Sequence, residues 1–169
     1  HEQNKGRGAT VTEGIRMAQG KYVGFIDIDL EVQAHYIPAA LLPLQGGQAD
    51  MVIGDRSYRH LVLFFHRTLM TNVYKALVRA MLGTPFLDTE AGFKFFVRSR
   101  ILPVLDRCTD PHWFWDTEVT IRSYDAGLRI HSLPVLFSKR EDKKTTVKFF
   151  SDSWKSLKAL LRFRSQRQS

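Results

Sequence analysis

Two aspartates two positions apart are the residues of this sequence best placed to do chemistry. Asp27 lies near the end of the apolar segment 22–28 (YVGFIDI) and Asp29 directly follows that segment, whose aromatic and β-branched residues are typical of a strand covered on both faces. In an extended segment their carboxylates point to the same face. Two like charges in apolar surroundings are costly unless a raised pKa, a basic partner or a hard divalent cation accompanies them. Mg²⁺ or Mn²⁺ on Asp27 and Asp29, together with phosphate oxygens, would meet that need, and a solvated acidic turn is the alternative.

Three arginines are candidates for binding phosphate. A guanidinium offers forked donors and stays charged, so Arg56, Arg67 and Arg140 could stabilise a departing diphosphate or an incoming phosphate. The stretch 5–8 (KGRG) could form a loop that approaches phosphate, with Lys5 as a possible donor contact. For each of these basic residues, a solvated surface position is the alternative.

Three further acids have both a structural and a functional interpretation. Asp88 precedes Gly92 in a segment whose composition predicts a turn into Phe93, where a cap is as well supported as a substrate contact. Asp116 and Glu118 open a predicted helix, and acids at that end suit the helix dipole.

The elements that must position these residues alternate between helix and strand. Such an order favours an α/β sandwich with a largely parallel sheet and a ligand site at the carboxyl ends of its strands. Apolar periodicity predicts helices over 10–18, 34–44 in part, 66–82, 98–106 and 116–124, and strands over 22–28, 49–54 and 128–137.

Composition limits the possible classes of function. The 169 residues, 44% of them hydrophobic, suffice for one core, and the single cysteine, Cys108, excludes an internal disulfide framework. No apolar run approaches the roughly 20 residues of a membrane-spanning helix. Of the net charge of +8, residues 139–169 carry +7, with ten basic and three acidic side chains. The chain therefore has a near-neutral body, 1–138, and a cationic tail, 139–169.

The tail has the pattern of a basic amphipathic helix. Phe150, Trp154, Leu157 and Leu161 recur at helical spacing, and lysines and arginines occupy other positions of the turn. Such a helix could lie in a membrane interface, with its cations against anionic headgroups. The alternative is that its apolar stripe packs on the domain.

Several motifs together resemble family 2 glycosyltransferases, and most of all the dolichyl- and polyprenyl-phosphate mannosyl- and glucosyltransferases. The order and spacing of the motifs carry the resemblance over nearly the whole chain, and DxD followed by GDR and DTxxGFK is its most specific part. The motifs are NKGRGAT (4–10), AQGKYVGFIDIDLE (18–31), ADMVIGDRS (49–57), LDTEAGFKFF (87–96), WFWDTEV (113–119) and LPVLF (133–137).

The resemblance implies a Rossmann-like GT-A fold in which the DxD acids hold a divalent metal on the pyrophosphate of a nucleotide sugar. Asp27 and Asp29 match those acids, and Glu31 stands where many relatives carry glutamine. By the same resemblance Arg56, Arg67 and Arg140 lie near phosphates. Asp116 and Glu118 border the acceptor site. Relatives begin with a nucleotide-binding strand and loop, so a missing N-terminal part is expected.

The sequence thus predicts an inverting, metal-dependent transfer from a nucleotide-diphosphate sugar to a polyprenyl phosphate at the cytosolic face of a membrane, to which the protein binds peripherally. An ionised phosphate acceptor needs no strong base. One alternative is transfer to a sugar hydroxyl, with Asp116 or Asp88 as the base. Another is a non-catalytic basic module that binds anionic lipid or nucleic acid, although nucleic acid is not expected as a partner. The candidate catalytic residues are Asp29, Arg56, Asp88 and Asp116.

Overall fold

The computed structural model describes residues 4–56, 83, 88–136, 160–163 and 165. The predicted helix over 66–82, with Arg67, lies outside these residues, as does Arg140. Within the described part, no helix combines the length and the apolar character needed to cross a membrane.

Four strands of the described residues form one sheet. They are β1 (Tyr22–Ile26), β2 (Met51–Asp55), β3 (Phe93–Val97) and β4 (Ile130–Pro134), in the spatial order β1-β3-β2-β4. β2 and β4 pair in parallel, whereas β3 lies antiparallel between β1 and β2. The three strands that the sequence predicts therefore all run in one direction, and β3 alone opposes them.

β3 is the described strand that the sequence pattern does not predict. Its side chains alternate: Phe93 and Phe95 pack on one face of the sheet, and Phe96 packs on the other. Lys94, the residue between Phe93 and Phe95, is completely buried. A lysine in the middle of an apolar run obscures the strand signal, because lysine is almost never buried without a partner.

Helices cover both faces of the sheet. α1 (Arg7–Met17), α3 (Arg98–Leu105) and α4 (Trp115–Asp125) pack on the face that carries Met51, Ile53 and Phe96. α2 (Ile37–Gln45) follows a 3-10 turn (Ala34–Tyr36) and covers the opposite face. This arrangement confirms the predicted α/β/α sandwich, but the described sheet is only partly parallel, because β3 pairs antiparallel with both of its neighbours. The first helix begins three residues earlier than its periodicity predicts, and it therefore includes Arg7.

The described end of the tail contacts the domain. Residues 160–163 are helical, Leu160 and Phe163 are buried, and the Phe163 ring lies 5.8 Å from the ring of Phe114. Leu161, which the sequence places in the apolar stripe, is instead 52% exposed. The buried side of this turn is thus offset from the predicted stripe, because Leu160 and Phe163 turn inward. The stripe residues 150, 154 and 157 lie outside the described part.

Candidate active site

The two aspartates lie in a tight turn where β1 ends. Strand pairing stops at Ile26, opposite Phe93, and the Asp27 amide donates to the Gly92 carbonyl at 2.8 Å. The Leu30 amide then donates back to the Asp27 carbonyl at 3.0 Å, with Leu30 at a φ of 53°. The prediction of an extended chain is therefore correct for Tyr22–Ile26 but wrong for residues 27–29, because pairing with β3 stops at Ile26 and the chain turns.

The surroundings of the turn are also more open than the sequence suggests. Ile28 is 95% exposed and Leu30 is 46% exposed, so neither encloses the two acids in apolar side chains. The Asp27 side chain is 40% exposed. Asp29 is partly buried, and its Oδ1 accepts from the Glu31 amide at 3.2 Å. Solvent and a ligand can therefore reach both carboxylates.

Gly92 packs directly against the first aspartate. A Cβ at position 92 would lie 1.7 Å from Oδ2 of Asp27 and 2.1 Å from its Cγ. Only a glycine leaves room for the carboxylate at this point. The glycine of the GFK motif, which directly precedes β3, thus lets the Asp27 carboxylate pack against its backbone.

Arg7 joins this turn to a buried acid on the other side of the site. Its Nη2 and Nε donate to Oδ1 of Asp27 at 2.5 and 3.2 Å, and its Nη1 donates to Oδ2 of Asp116. The guanidinium stacks over Phe25 at 5.3 Å and over Trp113 at 5.4 Å. In this loop the sequence favours Lys5 as the donor contact, whereas the structure turns Arg7 inward.

Lys94 completes a chain of alternating charges. Its Nζ donates to Oδ1 of Asp116 at 2.9 Å and to the Ala91 carbonyl at 2.5 Å. Burial raises the pKa of the Asp116 carboxyl and lowers the pKa of the Lys94 ammonium, so each group depends on the opposite charge to stay ionised. The chain Asp27, Arg7, Asp116, Lys94 therefore links the β1 turn to the start of α4.

Arg56 forms a second ion pair at the ends of the strands. Its Nε and Nη2 donate to Oδ2 and Oδ1 of Asp88 at 2.6 and 2.7 Å, in a forked arrangement. Burial alone would lower the pKa of the Arg56 guanidinium, but the hydrogen bonds and charge of Asp88 raise it. Glu31 and Glu90 add negative charge around Arg56. The structure thus brings together Arg56 and Asp88, which the sequence selected separately.

Two other residues from the sequence analysis lie apart from this group. Lys5 is exposed, and its Nζ lies 3.3 Å from Oε2 of Glu13, so its contact with a donor stays a prediction. Glu118 is buried but accepts from the amides of Thr109 and Asp110 at 2.8–3.1 Å. Its visible role is to hold the loop before α4.

The residues present suit a divalent cation of the hard type. Asp27 and Asp29 supply accessible carboxylate oxygens, and Mg²⁺ or Mn²⁺ typically takes one or two carboxylates and completes its shell with water and phosphate. Among the described residues there is no group of three or more histidine, cysteine, aspartate or glutamate side chains placed to hold a metal. Within the described part of the chain, a cation on Asp27 and Asp29 would therefore leave other coordination positions to water and to phosphate oxygens of a substrate.

The fold is that of the GT-A glycosyltransferases. The structure superposes on glucosyl-3-phosphoglycerate synthase from Mycobacterium tuberculosis in complex with UDP, with a TM-score of 0.68 and 20% identity over 95% of this chain and 55% of that one. A second structure of that enzyme, in complex with Mn²⁺, UDP-glucose and glycerol 3-phosphate, gives a TM-score of 0.67 at 18% identity, over 94% and 55% of the two chains.

Sequence comparisons define the family. The model of glycosyl transferase family 2 matches residues 1–102. Glycosyltransferase AglD of Haloferax volcanii is 30% identical over 84% of this chain and 23% of its own length. The dolichyl-phosphate beta-glucosyltransferases of Dictyostelium discoideum and Saccharomyces cerevisiae are 24% and 23% identical over 96% and 94% of this chain. The chain belongs to glycosyl transferase family 2, and it spans about half the length of these two glucosyltransferases.

Proposed function

We propose that this protein transfers a sugar from a nucleotide-diphosphate sugar to a polyprenyl phosphate, with inversion at the anomeric carbon. The observation that carries the proposal is the accessible Asp27–Asp29 turn beside the Arg7–Asp116–Lys94 chain. Membership of family 2 and the similarity to two dolichyl-phosphate glucosyltransferases support this class of acceptor.

We propose UDP-glucose with Mn²⁺ or Mg²⁺ as the first donor and cation to test. Support comes from the structural neighbour bound to Mn²⁺ and UDP-glucose and from the glucosyltransferase relatives. Asp27 and Asp29 would hold the cation, and a bound cation would stabilise the negative charge of the departing diphosphate. Glu31 lies beside this turn, so it would add negative charge near a bound cation.

The acids of the site favour a phosphate acceptor over a sugar hydroxyl. A hydroxyl requires a general base. Both carboxylate oxygens of Asp116 already accept hydrogen bonds from cations, and both oxygens of Asp88 accept from Arg56. A phosphate acceptor is ionised before it binds, so it can attack the anomeric carbon without help from either acid.

Membrane association is a further part of the proposal. The cationic tail, 139–169, would meet the cytosolic surface of the bilayer that contains the acceptor. Leu160 and Phe163 pack on the domain, so the tail would bring the catalytic body, 1–138, close to that surface. Arg67 and Arg140 remain predicted phosphate contacts.

Radiolabelled transfer tests the proposed acceptor. The purified protein with UDP-[¹⁴C]glucose and Mn²⁺ is expected to label a short-chain polyprenyl phosphate, and EDTA is expected to abolish labelling. The matching polyprenyl alcohol, which lacks only the phosphate, serves as the control and should remain unlabelled. Transfer to an oligosaccharide hydroxyl with none to the polyprenyl phosphate would contradict the proposal.

A further inference from the structure

Arg7 occupies the position from which a cation would neutralise Asp27. Its guanidinium reaches Oδ1 of Asp27 through two nitrogens, at 2.5 and 3.2 Å. The other oxygen, Oδ2, faces the Cα of Gly92, where a Cβ would lie only 1.7 Å away. The Asp27 side chain is 40% exposed, so a metal can approach it, but a metal that binds Oδ1 must compete with the bound guanidinium.

The side chain of Arg7 has support that does not depend on Asp27. It is 15% exposed, pairs with buried Asp116 and lies over the rings of Phe25 and Trp113. Loss of the contact with Asp27 would leave these interactions in place. Arg7 can thus release Asp27 with a small movement and remain folded against α4.

The charges of the site favour binding of the cation together with a diphosphate over binding of the cation by itself. Asp27 and Asp116 are balanced by Arg7 and Lys94 when no cation is present. A divalent cation alone would add positive charge next to Arg7, and the two would repel each other. A diphosphate that arrives with the cation brings negative charge and oxygen ligands, which offset that repulsion.

We propose that Arg7 is a positioning residue. When no metal is bound, it holds the Asp27 side chain through Oδ1, and it competes with the metal for that oxygen. The inference rests on the proposed metal-dependent transfer. It means that the cation binds weakly by itself and more tightly together with the nucleotide diphosphate.

Mn²⁺ binding without nucleotide tests this competition. Free Mn²⁺ measured by electron paramagnetic resonance is expected to show that Arg7→Gln binds Mn²⁺ about five- to tenfold more tightly than the wild type, because a positive charge beside the ligand has been removed. A merely structural role for Arg7 would not raise metal affinity. Arg16→Gln is the matched control, since Arg16 lies on the same helix but pairs with exposed Asp106.

A measurement on the wild type does not depend on how well the variant folds. The ¹⁵N resonance of the Arg7 side-chain Nε, assigned with Arg7→Lys, is expected to shift during titration with Mg²⁺, and its proton should exchange faster. An unchanged Nε signal at saturating Mg²⁺, or an unchanged or weaker Mn²⁺ affinity in folded Arg7→Gln, would overturn this inference but not the proposed function. A wild type that binds neither metal even with UDP-glucose would overturn the proposed function as well.

Discussion

Replacement of Gly92 by alanine is expected to reduce kcat/KM at least about 100-fold, because misplacement of a reacting group by about 1 Å costs this much. The added Cβ would lie 1.7 Å from Oδ2 and 2.1 Å from Cγ of Asp27, so the carboxylate or the start of β3 must move. Steady-state kinetics with UDP-glucose and the lipid phosphate, at several Mn²⁺ concentrations, would measure the loss.

Gly14→Ala is the matched control for Gly92→Ala. Gly14 lies in α1, and a Cβ at that position would meet nothing within 4 Å. Alanine there is expected to leave kcat/KM unchanged and to stabilise the helix by about 0.5–1 kcal/mol. Wild-type kinetics in folded Gly92→Ala would show that Asp27 does not need its present position.

Replacement of Asp116 by asparagine is expected to lower the free energy of unfolding by about 3–5 kcal/mol. Asp116 is the anion that both Lys94 and Arg7 contact, and Lys94 is completely buried. Loss of the Asp116 charge therefore leaves a buried ammonium without a counter-charge. Urea unfolding followed by circular dichroism at pH 7 would measure the change.

Two further variants separate charge from packing at Asp116. In the double variant Asp116→Asn with Lys94→Met, removal of the unpaired ammonium should recover part of the lost stability. Asp106→Asn is the exposed control, because its pair with Arg16 lies at the surface and is expected to contribute less than about 1 kcal/mol. If Asp116→Asn costs no more than Asp106→Asn, the charge chain does not stabilise the fold.

Local patterns predict much of this fold. Buried apolar runs locate β1 and β2, the segment 128–137 locates β4, and helical periodicity locates four helices to within a few residues. β3 escapes prediction because Lys94 interrupts its apolar pattern, and the burial of Lys94 depends on its ion pair with Asp116, 22 residues away. A buried charge is a tertiary feature, since its partner can come from any element.

The candidate site shows the same division between local and long-range information. The sequence selects Asp27, Asp29, Arg56 and Asp88 individually, but not the Arg56–Asp88 pair, which joins residues 32 positions apart. The inward position of Arg7 likewise depends on its ion pair with Asp116, 109 positions away. The turn at Asp27 also depends on β3. β1 ends where its pairing with β3 ends, at Phe93 and Gly92.

Calorimetric binding of UDP-glucose tests the central claim, that Asp27 and Asp29 bind the donor through a divalent cation. The wild type is expected to bind in Mn²⁺ and to lose affinity in EDTA, whereas Asp29→Ala should show no Mn²⁺-dependent binding. Ile28→Ala, a change in the same turn at a side chain that is 95% exposed, should bind like the wild type. Equal Mn²⁺-dependent affinity in wild type and Asp29→Ala would contradict the account.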